Sequence, residues 1–425
     1  MKIFVTIIAA LCISIIFIPV VCRDTAAGEL SGELTIVNWL GGSEYDLVIE
    51  LEEHFKELYP GVSVKDINLT GSADARPLLK SMLLGGQIPD LLISAWPSFD
   101  KELQQAGILA PLNDAWEKYN WDKALNASWK ELGSIDGKVY GIYFLADNRS
   151  GLWYRSQDFT ALKTPLPTSW DTFKTLAHAY KDAGKIPITV GADSWAHTEY
   201  FENLLLRVGG PEIFMKLARH EIPWTDPVVV KSLTYWKELL DEGLFADGAT
   251  MLGTAWDVAF KQVMQNSAGM NLIGSWVHGM AQQEFAFTPV KDYDFFQFPT
   301  IDPSVPANYM QISAKNWLVC SGGKNTQAAL AFLNFVLSEE AGSIIAKYGG
   351  VSPNSLVSAD VYDPIGKKTA TMFAENGVVF VLDDLLPTEV SSEYRVQLQR
   401  FLNDPSEEQI QKTLEAIEAK AKAVY

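Results

Sequence analysis

Apolar and polar positions follow two rhythms in turn along this chain, one of period two and one near period 3.6. Glu33-Leu34-Thr35-Ile36-Val37-Asn38-Trp39 reads as a strand, and Gly41-Gly42-Ser43 as a loop. Tyr45 to Tyr59 reads as an amphipathic helix carrying Leu47, Ile49, Leu51, Phe55 and Leu58, stopped by Pro60-Gly61. Val62 to Ile67 is a second strand, Asp74 to Leu84 a helix closed by Gly85-Gly86, and Asp90 to Ser94 a third strand. This β-α-β-α-β order predicts a mostly parallel sheet wrapped by helices. Ligands of such sheets sit beyond the carboxyl ends of the strands, so the loops after Trp39 and after Ser94 are expected on one rim.

A second α/β region follows. Ser169 or Thr168 caps a helix over Trp170 to Ala183, and Ile186 to Val190 is strand-like. Helices are predicted over Tyr200–Val208, Pro211–Ala218, Pro227–Glu242 and Gly253–Gln265. Pro and Gly cluster between Asp292 and Pro306, and Trp317 to Cys320 reads as another strand. Thr326 to Leu337 is helical, and the Ala/Glu/Lys-rich segment Ser406 to Val424 reads as a surface helix.

The N-terminus breaks the pattern. Met1-Lys2 precedes a nearly continuous apolar run from Ile3 to Val21, and polar sequence resumes at Cys22-Arg23-Asp24. A short basic start, an apolar core and a polar turn predict an export signal over residues 1–22. The alternative is a retained anchor, because the run is close to bilayer-spanning length. Cys22 stands where a bacterial lipoprotein is cut and lipidated, with ordinary cleavage near Thr25-Ala26-Ala27 as the rival reading. The protein is therefore expected outside the cytoplasm, periplasmic or tethered to a membrane by lipid at Cys22.

Composition narrows the function classes. The three cysteines, Cys12, Cys22 and Cys320, are too few for a disulfide framework or a cysteine-based zinc site. A net charge of −18 argues against nucleic acid and against anionic membrane surfaces as partners. Most of the 13 Trp, 15 Tyr and 21 Phe are expected in the core, and exposed members would suit a site that stacks on flat apolar faces. Neither GxSxG nor HExxH occurs, and the five histidines show no metal spacing. No metal, cofactor or catalytic group is assigned.

Five segments in order resemble the extracellular solute-binding proteins of ABC sugar importers, the maltose-binding-protein-like family. They are Leu34–Trp39 with Phe55 to Val64; Leu84-Gly85-Gly86-Gln87-Ile88-Pro89-Asp90-Leu91-Leu92 with Gly107 to Leu112; and Ile135-Asp136-Gly137-Lys138-Val139-Tyr140-Gly141 leading into Leu152-Trp153-Tyr154-Arg155. Phe260 to Trp276, then Ala328 to Gly342 with Gly350-Val351-Ser352-Pro353, complete the set. The chain departs from the family in having Asn266 where a glycine is usual, and it lacks the glycine-rich stretch around Tyr309-Met310-Gln311.

The resemblance implies a two-lobed α/β periplasmic-binding-protein fold of type II, with the ligand in the interlobe cleft. It assigns 30–145 plus 307–350 to an N-terminal lobe and 146–306 plus 351–425 to a C-terminal lobe. Hinge closure would bury the ligand. The implied partners are a small-molecule sugar and the membrane permease subunits of an ABC transporter, and a monomer is expected. Aromatic faces and hydroxyl-binding edges are what a sugar needs, and the resemblance puts Trp39, Trp96, Trp195 and Trp276 in the family's ligand-loop positions. Glu44 after the glycine loop, Asp147 and Asn148 after the first crossing strand, Gln311 after the second, and Trp256 complete the candidates. A core role is the competing reading for each tryptophan, and a solvated surface charge for each acid. A receptor for another polar ligand, or a glycoside hydrolase with two facing carboxylates, are the rival functions.

Overall fold

The computed structural model describes residues 30–69 and 75–425. The export segment 1–22, the alternative cleavage region and the expected helix start at Asp74 lie outside them. Within the described residues the strands are β1 (Gly32–Asn38), β2 (Val62–Asn68), β3 (Leu91–Ser94), a small hairpin of β4 (Ser134–Ile135) and β5 (Lys138–Val139), β6 (Gly141–Asn148), β7 (Gly151–Arg155), β8 (Ile186–Thr189), β9 (Ala268–Leu272), β10 (Tyr293–Gln297), β11 (Tyr309–Val319) and β12 (Gly377–Phe380).

These strands form two principal sheets. The larger runs β12-β11-β3-β1-β2, with β6 on the other part of β11. β1 pairs in parallel with β2 and β3, whereas β11 runs antiparallel to β3 and β6. The smaller sheet is β10-β7-β9-β8, and its parallel pairing is confined to β8 with β9. β7 follows β6 after Arg149-Ser150, so the chain passes from one sheet to the other almost without turning aside.

Each sheet buries its own apolar set. Leu34, Ile36, Leu51, Phe55, Ile93, Phe144, Trp317 and Phe332 pack under the larger sheet. Phe173, Tyr200, Phe201, Trp224, Trp236, Tyr394 and Phe401 form a second core. Burying a large apolar side chain is worth about 1.5–3 kcal/mol, so each cluster suffices as a separate core. The C-terminal helix Glu407–Val424 joins the second: Ile410, Leu414, Ile417 and Ala421 are buried, so only its other face meets the surface.

Local chemistry explains most boundaries. Ser169 and Thr172 form a capping box at the start of Trp170–Asp182. The two helices expected on either side of Gly209-Gly210 meet at a kink where Gly210 adopts φ 77, a conformation open to glycine. Asn266 occupies a left-handed turn at φ 70, which explains why glycine is usual there and asparagine is accepted. β10 and most of β11 were not evident as strands in the sequence: the Pro/Gly cluster masks β10, and polar residues interrupt β11.

Candidate functional site

The loops after β1 and β3 do share a rim, because the rings of Trp39 and Trp96 lie 4.7 Å apart. Trp39 donates from Nε1 to the Ile93 carbonyl at 3.2 Å, which anchors one ring to the strand beneath the other. Trp96 immediately precedes the helix Pro97–Gln105 and is nearly buried. The Arg76 guanidinium lies 5.5 Å from the Trp96 ring centre.

A second aromatic group comes from three distant segments. Trp195 precedes the helix Thr198–Ala218, Trp256 begins Trp256–Met264, and Trp276 precedes Val277–Phe285. Their ring centres lie 5.8–6.3 Å from one another, and all three are half-buried. Two glycines make this convergence possible. A methyl group on Gly274 would sit 1.8 Å from the Trp276 ring, and one on Gly191 would sit 2.5 Å from the Trp256 backbone.

Charged residues stand against these rings. Arg149, in the connection between β6 and β7, has its guanidinium 5.0 Å from the Trp195 ring centre and 4.8 Å from that of Trp276. Its Nε donates to Glu199 Oε1 at 2.6 Å, and it also donates to Ser313 Oγ at 3.0 Å. Burial pushes the Glu199 carboxyl up to about 7 against the pull of Arg149.

Lys315 of β11 is 4% exposed and joins two predicted site residues. Its ammonium donates to Asp147 Oδ2 at 2.6 Å and lies 2.7 Å from Glu44 Oε1, where the contact is ionic rather than a directed hydrogen bond. It also lies 5.6 Å from the Trp276 ring centre. Burial works against the lysine charge, but Asp147 and Glu44 outweigh it and hold its pKa above the ordinary value. Glu44 is raised, by burial first and despite Lys315. The β6–β11 register shifts between Lys315 and Asn316, a bulge of the kind that re-aims a side chain.

Glu44 and Asp147 thus meet at Lys315, Trp276 lies near both Lys315 and Arg149, and Trp195 lies near Arg149. Trp256 joins them through the other two rings, while Trp39 and Trp96 pair on the rim of the larger sheet. Asn148 and Gln311 have different surroundings. Asn148 is buried; its Oδ1 accepts from the Ser150 amide and its amide donates to Ser275 Oγ. Gln311 is fully buried in β11, with Oε1 3.4 Å from the donating Asn203 Nδ2. Both therefore stitch the crossing strands to elements beside the smaller sheet. Sequence reasoning placed none of Lys315, Ser275, Glu199 and Arg149 in the site. The available signal was a lysine inside Ser313-Ala314-Lys315-Asn316-Trp317-Leu318-Val319, a polar interruption of an otherwise apolar strand.

The whole arrangement meets a broader pattern: the family model described as bacterial extracellular solute-binding protein matches residues 41–343. The chain belongs to that family. Among the relatives of this solute-binding protein is an uncharacterized ABC transporter extracellular-binding protein of Pyrococcus horikoshii, 25% identical over 79% of this chain and 75% of the relative. Another is the alpha-glucosides-binding periplasmic protein AglE of Rhizobium meliloti, 26% identical over 72% and 70%. Among solved structures, the bacterial solute receptor AcbH, described as exclusive for β-D-galactopyranose, superposes with TM-score 0.84 at 24% identity over 93% of this chain and 99% of that one. A chitin oligosaccharide binding protein gives 0.81 at 21% identity over 92% and 99%. These likenesses establish the two-domain α/β fold.

Proposed function

We propose that this chain is the extracytoplasmic substrate-binding subunit of an ABC importer, and that it captures a mono- or oligosaccharide and delivers it to the permease. The observation that carries this reading is the convergence of Trp195, Trp256 and Trp276 on one another, with Trp276 beside Lys315 of the Glu44–Lys315–Asp147 ion group. A sugar presents C–H faces that pack on indole rings and hydroxyl edges that both donate and accept hydrogen bonds. Half-buried rings beside fixed carboxylates offer both surfaces within one cleft. Relatives and structural neighbours described as binding α-glucosides, β-D-galactopyranose and chitin oligosaccharides support the same ligand class.

In this reading the lobes are 30–145 plus 307–350 and 146–306 plus 351–425, and all nine predicted residues act in or directly behind the ligand cleft. The two sides touch where Ser98 Oγ donates to the Leu386 carbonyl at 2.8 Å and where Ser43 abuts Gly279. Breaking such small polar contacts and bending at the crossing strands would open the cleft. The protein works outside the cytoplasm as a monomer, held at the membrane if Cys22 is lipidated; intact mass of the mature protein distinguishes the two forms.

Calorimetric titration with neutral mono- to tetrasaccharides, beside glycerol phosphates and polyamines, tests the ligand class. Saturable binding of a saccharide supports the reading, and binding confined to a polyamine or phosphate ester overturns it. Incubation with the bound oligosaccharide separates receptor from glycoside hydrolase, since a receptor releases no reducing sugar.

A further inference from the structure

The short helix Leu382–Leu385 carries two adjacent acids with different fates. Asp383 is committed: Arg395 Nε donates to its Oδ2 at 2.9 Å and Ser391 Oγ donates to its Oδ1 at 2.6 Å. Asp384 is only 6% exposed, and its carboxylate makes no hydrogen bond or ion pair among the described residues. With no protein donor, an ionised carboxylate in that position depends on solvent or a ligand for its hydrogen bonds.

Its place in the fold is fixed from two sides. The Leu382 and Asp383 amides donate to Glu202 at 2.8 and 3.1 Å, which holds the helix to Thr198–Ala218. From the other side, Ser98 Oγ donates to the Asp384 carbonyl at 3.1 Å, two residues beyond Trp96. The charges acting on Asp384 come from both aromatic groups: Arg149 lies over Trp195 and Trp276, and Arg76 over Trp96. Asp383 and Arg395 act from the second core, and Tyr143 of β6 shares its field. Burial pushes the Asp384 carboxyl up to about 7, with Arg149 the strongest opposing influence.

We propose that Asp384 is a specificity-determining residue of the cleft, accepting hydrogen bonds from hydroxyls of an uncharged saccharide and excluding acidic sugars. The neighbouring cations support this assignment. Lys315 is engaged by Glu44 and Asp147, Arg149 by Glu199, and Arg76 donates to Ser391 Oγ at 3.1 Å. A uronate or sugar phosphate would bring negative charge toward a carboxylate whose nearby cations already have partners. A neutral sugar instead brings the missing donors. The inference rests on the saccharide-receptor reading above.

The test compares the full-length protein with Asp384→Asn by calorimetry. A panel of galactose, maltose, raffinose and chitooligosaccharides identifies a neutral ligand, and the corresponding uronate or 6-phosphate is titrated beside it. Asn keeps the shape but can offer only one accepting oxygen and adds donors, so neutral-ligand affinity is expected to fall about tenfold or more. The preference for neutral over acidic ligand is expected to shrink by about tenfold as well, a change that loss of stability alone does not produce. Thermal denaturation of the variant, expected to match or exceed that of the parent, establishes that it folds; if it does not fold, Asp384→Ser is titrated in its place. Unchanged affinity and unchanged preference in a folded variant overturn the assignment while leaving the receptor reading intact. Absence of saccharide binding by the parent protein overturns both.

Discussion

Trp96 and Trp276 both precede a helix on a cleft rim, yet the two positions use the indole differently. Trp96 is 8% exposed and belongs to a core with Val37, Leu92, Phe99 and Leu318. Trp276 is half-buried, touches two other tryptophans, and has both Arg149 and Lys315 near its ring. The contrast extends to their partners: Trp39 is tied to the strand below it, whereas Trp195 and Trp256 meet Trp276 across three separate loops. A ring packed into a core and a half-buried ring between two cations have the same residue identity and a similar place in sequence. Their surroundings separate them.

Substitutions can break or sharpen this contrast. The largest effect is expected from Lys315→Ala, which leaves Glu44 and Asp147 together in a buried site; breaking such a group costs about 3–5 kcal/mol of stability. Chemical denaturation measures it, and Lys315→Arg should recover part of the loss. Trp96→Ala comes next, expected to cost about 3–4 kcal/mol of stability through the cavity it leaves, and less in sugar affinity than the change at Trp276. Equal losses of affinity at the two positions would erase the distinction drawn here.

Trp276→Ala is expected to weaken sugar binding by about 2 kcal/mol, roughly thirtyfold, with a smaller effect on denaturation. Gly274→Ala should move in the same direction without removing the ring, because its methyl group displaces the indole. A tenfold loss is roughly the scale for a misplaced stacking face. Calorimetry on both variants compares loss of the ring with loss of its position.

The smallest effect concerns pH. Glu52, Glu199 and Asp384 are raised to about 8, 7 and 7, chiefly by burial. Their charged forms destabilise the folded state, so stability should rise as pH falls from about 8 toward 6 and these groups take up protons. His197 acts oppositely: burial lowers it to about 4, so below the ordinary histidine range the unfolded chain binds a proton that the folded one refuses. Melting temperature is therefore expected to rise as pH falls from 8 toward 6, and to go on rising less steeply below about 6.5, where His197 opposes the three carboxyls. A steady decline from pH 8 downward would show that the buried carboxylates are compensated.

The sequence made the order of elements legible wherever a single period ran undisturbed. Ser43–Leu58, Val62–Asn68 and Pro227–Asp241 lie within a few residues of expectation because one face of each is apolar and the ends carry recognisable stops. β11 was legible only at its end. Gln311, Ser313, Lys315 and Asn316 are buried there, and each meets a side chain far away in sequence, so their polarity concealed the strand. The tryptophans of the candidate site were visible as residues at element ends. Glu44 and Asp147 were named beside them, but their link through Lys315 and the place of Asp384 were not legible, because a buried charge is identified by its neighbours, and those come from segments more than 100 residues apart.

The most direct measurement is equilibrium titration of the folded protein and its Trp276→Ala variant with neutral saccharides, followed by indole fluorescence. The account predicts a saturable change for at least one saccharide and its loss or strong weakening in the variant. A ligand that binds both proteins equally well, or a protein that responds to none of the saccharides, would contradict it.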